Sequence, residues 1–128
     1  MAVHDQISAV RDCGRVTCGS STATDLEGVA RAFGLSTAPG TYREIDRATA
    51  EARMIDLLQY DLAYDSDLVP HAHAMELARA FLDAVPGARF YSNGTRQESR
   101  PATRATFDGG VIAIGDGGSA CFWVEDED

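Results

Sequence analysis

With 128 residues, 45% of them apolar and 24% charged, the chain has the length of one domain and can bury a core of its own. Its formal net charge of −9 opposes polyanionic partners, so direct binding to nucleic acid or to an anionic membrane is not expected. No run approaches the roughly 18 apolar residues of a membrane span. Met1 to Val10 carries Asp5 and lacks a basic start or an apolar stretch, so no signal peptide is expected and the expected location is cytoplasmic.

In chain order, Val3, Ile7 and Val10 suit a short amphipathic helix, and Cys13 to Cys18 reads as an irregular link or a short strand. Thr24 with Glu27 has the spacing of a capping box, which predicts a helix from about Asp25 to Phe33 ending at Gly34. Thr41 with Glu44 offers a second box, opening a helix predicted to run to about Tyr64, with Ile45, Ala48, Ala52, Ile55, Leu58 and Leu62 on its buried side. Asp65-Ser66-Asp67 breaks it. Pro70 suits the first turn of another helix, whose stripe is Ala74, Ala78, Phe81, Leu82 and Val85 and whose end is Pro86-Gly87.

Beyond Gly87 the pattern becomes extended: residues 89–92, 105–107, 111–114 and 121–124, separated by Asn93-Gly94, Asp108-Gly109 and Asp116-Gly117, dipeptides that favour tight turns. Helices followed by strands mean α+β: three to four N-terminal and central helices, then a three- to four-stranded antiparallel sheet. Residues 1–124 form the expected domain and 125–128 an acidic C-terminal tail.

Asp25 to Ser36 resembles the first helix and turn of a bacterial helix-turn-helix DNA reader. The resemblance covers only about a tenth of the chain and implies a recognition helix starting near Ser36. Pro39-Gly40 interrupts that helix, and the sequence beyond is acidic where phosphates need basic residues.

No stretch carries a reaction signature. Asp108-Gly109-Gly110 and Asp116-Gly117-Gly118 lack the Gly-Lys-Ser/Thr of a phosphate loop and read as turns, so no cofactor is expected. Cys13, Cys18 and Cys121 are an odd set without paired ligand spacing, and His71-x-His73 points to two sides of a helix, so neither disulfide nor metal site is expected. No G-x-S-x-G or H-E-x-x-H context activates a nucleophile or base, and no catalytic residue is assigned.

The acidic excess is concentrated in residues 41–85 and in the last four residues. Glu51, Asp56, Asp61, Asp65 and Asp67, with Tyr60 and Tyr64 one turn apart, and Glu125, Asp126, Glu127 and Asp128 at the end, form the candidate docking surface for a basic protein or a nucleic-acid-binding protein complex. Small acidic phage and mobile-element proteins that block restriction or CRISPR complexes, and immunity proteins, work through such surfaces; the comparison is one of size and charge. The alternative is a small enzyme or ligand-binding domain with a pocket between sheet and helices, in which Arg96, Arg100 and Arg104 hold an anion.

Overall fold

The computed structural model describes residues 2–127. Helix α1 spans Val3–Val10, with Ile7 in the core. Strand β1, Arg15–Ser21, follows where the sequence allowed a link or a strand, and turns Val16 and Cys18 toward the core. Helix α2, Leu26–Ala32, is capped one residue later than expected: Asp25, not Thr24, accepts the Gly28 N–H at 2.7 Å. Its buried residues are Val29 and Ala30, and Gly34 follows with φ 72°. A recognition helix near Ser36 does not form, because residues 36–42 run through turns into strand β2, Arg43–Ile45.

Helix α3 spans Arg47–Gln59 and corrects the second predicted helix at both ends. The Thr41/Glu44 box is not used; Asp46 caps the helix by accepting the Thr49 N–H at 2.8 Å, which frees Arg43–Ile45 to pair with a strand. The buried side is Ala50, Arg53, Met54, Leu57 and Leu58, while Ala48 and Ala52 are exposed. The observed face is rotated from the expected one, because Ile45 lies in β2 and Leu62 lies beyond the end of α3. Helix α4, His71–Asp83, takes Pro70 as its N-cap and buries Ala74, Leu77, Ala78, Phe81 and Leu82.

Strands β3 (Arg89–Ser92), β4 (Phe107–Gly115) and β5 (Gly118–Asp126) complete a five-stranded, wholly antiparallel sheet in the order β1-β5-β4-β3-β2. The class is α+β, with one or two strands more than expected, since β1 and β2 come from the first half of the chain. Asp116-Gly117 closes the β4–β5 hairpin, with Gly115 opposite Gly118. Asp108-Gly109 is not a turn: it lies inside β4, fusing two predicted strands into one. Glu125 and Asp126 lie in β5 and pair across to β1 and β4, so they belong to the sheet rather than to a tail. Asp128 lies outside the described residues.

One face of the sheet, with Phe90, Val111, Ala113, Ala120, Phe122 and Val124, packs under α1, α3 and α4. The other face, with Ile112, Cys121 and Trp123, packs under α2 together with Leu35 and Ala102. Gly109 and Gly110 sit in β4 because both sheet faces are approached there. A Cβ on Gly109 would overlap the Arg53 Nη2, and one on Gly110 would overlap the Phe122 carbonyl oxygen and the Trp123 ring.

The two obstructions differ in how they give way. Arg53 is a flexible side chain, whereas the Phe122 carbonyl is fixed in the neighbouring strand. Gly110→Ala is therefore expected to destabilise by about 3 kcal/mol or more, and Gly109→Ala by about 1 kcal/mol with displacement of Arg53. Urea unfolding of the two variants checks the order; equal losses would contradict it.

Candidate functional site

The chain leaves α3 at Gln59 and returns to the body at Leu68, and the eight residues between form a loop over which most of the buried ionic chemistry converges. The Leu68 N–H donates to the Gln59 carbonyl at 2.7 Å, and Tyr60 and Asp67 bridge across the neck. Inside the loop, Asp61 is only 5% exposed. Its Oδ1 accepts the Tyr64 N–H at 2.8 Å and the Ser66 N–H at 3.1 Å. Burial pushes the Asp61 carboxyl up, but the N–H groups of Tyr64, Ser66 and Asp65, together with Arg11, outweigh it and hold the pKa below its ordinary 3.8.

Two arginines fasten the loop to the rest of the fold. Arg11, just after α1, forms a two-pronged pair with Asp126 at 2.7 and 2.9 Å, both side chains closed to solvent. It also donates to the carbonyls of Leu57 at 2.7 Å and Cys13 at 2.8 Å. Asp126 in turn accepts the Leu62 N–H at 2.8 Å. From the other side, Arg96 donates to Asp56 at 3.0 Å, to Asp65 at 2.6 Å and to the carbonyls of Asp61 at 2.7 Å and Tyr60 at 3.3 Å.

Of the predicted acidic surface, the structure thus gathers Asp56, Asp61, Asp65 and Asp126 around one loop, but turns Asp61 and Asp126 inward as its supports. As supports they accept the backbone N–H groups of Tyr64, Ser66 and Leu62. What the loop leaves outward is Tyr64, 67% exposed, with Asp65 and Asp67 on its C-terminal side, both exposed. Asp65 holds a positive φ of 56°, an uncommon backbone state for a residue other than glycine. Tyr60 is half-buried and accepts from Gln59 Nε2 at 3.0 Å. Glu51 is drawn to Arg79 of α4 at 2.5 Å. Glu125 is half-buried in β5, and Glu127 accepts from the Thr106 backbone N–H at 3.1 Å, so neither joins the loop.

The three arginines of the alternative reading do not converge. Arg96 is committed to the loop, Arg100 is exposed on the rim of a cleft beside α3, and Arg104 lines a separate groove with Phe33 and Glu125. Sequence reasoning passed over Arg11, Arg53, Asn93 and Asp108. Asp108 is 6% exposed and accepts from Asn93 Nδ2, Trp123 Nε1 and the N–H groups of Ala102 and Thr103, tying residues 102–103 to β4. The Gly-Gly pair inside an otherwise apolar strand was the available signal, since such glycines mark a close approach.

Cys18 Sγ lies 3.5 Å from His4 Nδ1. Burial pushes that thiol up to about 12 and lowers the His4 imidazole, so at neutral pH the pair holds a thiol and not the thiolate that nucleophilic chemistry requires. Burial likewise pushes the Cys121 thiol up. Among the described residues no three of His, Cys, Asp and Glu converge in a group able to hold a metal ion, and no helix is long and apolar enough to cross a membrane.

Removing one member of the Arg11–Asp126 pair leaves the other buried and uncompensated. Asp126→Ala is expected to cost about 3–5 kcal/mol in urea unfolding, while the joint Arg11→Met, Asp126→Leu replacement costs less than that single change. Asp61 gives a pH signature. Because its folded pKa is depressed, its contribution is complete above 3.8 and is lost as pH falls through the lowered folded value. Asp61→Asn should remove that part of the acid dependence of stability, and an unchanged acid limb would contradict the assignment. No family model, curated protein or solved structure matches this chain, so the site is read from its own residues.

Proposed function

We propose that the protein is a non-catalytic binding module that docks on a basic protein surface through the loop from Tyr60 to Asp67. The observation that supports this most is the exposure of Tyr64, 67%, on a loop whose backbone is held from beneath by Asp61 and Asp126 and from the side by Arg96. An exposed aromatic side chain is common in energetic centres of protein interfaces. Presenting it on a loop already ordered lowers the entropy lost on association.

The electrostatics favour a cationic partner. Arg96 pairs with Asp56 and Asp65, while Asp67 stays exposed beside them, within a chain of net charge −9. Such a field accelerates encounter with a cationic surface and repels a phosphate backbone. A nucleic-acid-binding protein presents that surface, and an acidic module seated on it blocks the nucleic acid, which is the inhibitory role proposed here.

Tyr64→Ala removes the anchor without touching the loop's internal hydrogen bonds, and Asp67→Arg reverses an exposed charge. Against a partner captured by the wild-type protein and released by moderate salt, Tyr64→Ala is expected to weaken binding by about 2 kcal/mol, roughly thirtyfold, and Asp67→Arg to slow association. Titration calorimetry and stopped-flow association check both. Wild-type affinity and salt dependence in both variants would remove this reading.

A further inference from the structure

Beside the Tyr60–Asp67 loop, and sharing Asp56 and Arg96 with it, a cleft of about 790 Å³ opens between α3, the end of β3 and the segments 40–43 and 93–100, within the size range of small-molecule sites. Arg53 of α3 lines it. This guanidinium is 6% exposed, and only its Nη2 has a partner, the Asn93 Oδ1 at 3.2 Å. Its Nε and Nη1 are buried without any hydrogen-bond partner, and among the described residues no carboxylate pairs with it. Burial lowers its pKa to about 10, so it is a cation at neutral pH.

A buried cation with open donors is costly to keep unless something else answers it. The fold nevertheless makes room for it: Gly109 leaves the space that Nη2 occupies, and Asn93, its single partner, is itself held by Asp108 and the Arg100 carbonyl. Around it the cleft is amphipathic, with Ile45 and Ala52 on one side and Arg100 at the rim.

We propose that this cleft binds a small organic carboxylate whose carboxylate group is taken up by Arg53, which lines the cleft with two donors left without partners. A monoanion fits better than a phosphate dianion. Arg96, the neighbouring cation, is already committed to Asp56 and Asp65, so a single ligand charge answers the open donors of Arg53, and Asp56 in the wall repels any excess. The apolar side chains then receive the body of the acid.

The experiment is a titration of the whole protein with sodium benzoate and, in parallel, with inorganic phosphate, at ionic strength held constant with sodium chloride, following the arginine Nε–H signals by NMR. The Arg53 signal is expected to move saturably with millimolar benzoate and not with phosphate. Arg53→Met should lower benzoate affinity at least about tenfold, and, because it removes buried donors that have no hydrogen-bond partner, should melt at the wild-type temperature or above it. Arg104→Ala, in the separate groove, should leave benzoate binding unchanged. No saturable movement with benzoate, saturation by phosphate alone, or equal benzoate affinity in Arg53→Met would each overturn the proposal. The wild-type titration decides the matter by itself should Arg53→Met fail to fold.

Discussion

The bidentate pair between Arg11 and Asp126 is the interaction on which most of the arrangement depends. It joins the end of α1 to the last residue of β5, and through the Leu57 carbonyl and the Leu62 N–H it fixes where α3 stops and how the chain leaves it. Two charges taken out of water cost several kcal/mol each, and geometry of this kind, with the remaining donors and acceptors answered by backbone, is what compensates them. An apolar pair could fill the same volume, but it would leave the Leu62 N–H without its acceptor.

A second polar centre lies at the same end of the sheet, where Asp108 stands opposite Glu125, the neighbour of Asp126. Asp108 gathers the Trp123 indole, Asn93 and the backbone of residues 102–103 on one face, while Gly109, the next residue, opens the opposite face to Arg53. The alternation of side chains along a strand makes this possible, since neighbouring residues of β4 serve opposite layers. The Tyr60–Asp67 loop and the cleft thus share one construction: buried ionic side chains hold backbone and loops in place, at positions where an ordinary core would carry aliphatic residues.

Much of this was legible in the sequence where one local signal dominated. Helices α1 and α4 follow their apolar spacing, β3 matches its apolar-aromatic run, and Asp116-Gly117 forms the hairpin its composition suggests. The failures have physical causes. Asp46 competes with Thr41 as a cap and wins because Arg43–Ile45 gains a strand partner in β3, a contact invisible to local reading. Asp108-Gly109-Gly110 has the composition of a turn, but its glycines answer close approach by Arg53 and Trp123, which only the tertiary structure brings near. Arg53 shares the observed buried face with Ala50, Met54 and Leu57, a face that becomes legible only once the helix is known to start at Arg47.

The acidic residues teach a related lesson about charge. A run of carboxylates in sequence says how much negative charge is present, not which groups face outward: Asp61 and Asp126 became supports, and Tyr64 with Asp65 and Asp67 remained as the presented surface. The buried ionic network of Arg11, Asp61, Arg96 and Asp126 holds this loop in one conformation by itself. Native-state amide hydrogen exchange at Leu62, Tyr64 and Ser66 tests it most directly. The account predicts protection at these amides approaching that of the β4 and β5 core; exchange at the rate of an unstructured loop would contradict it.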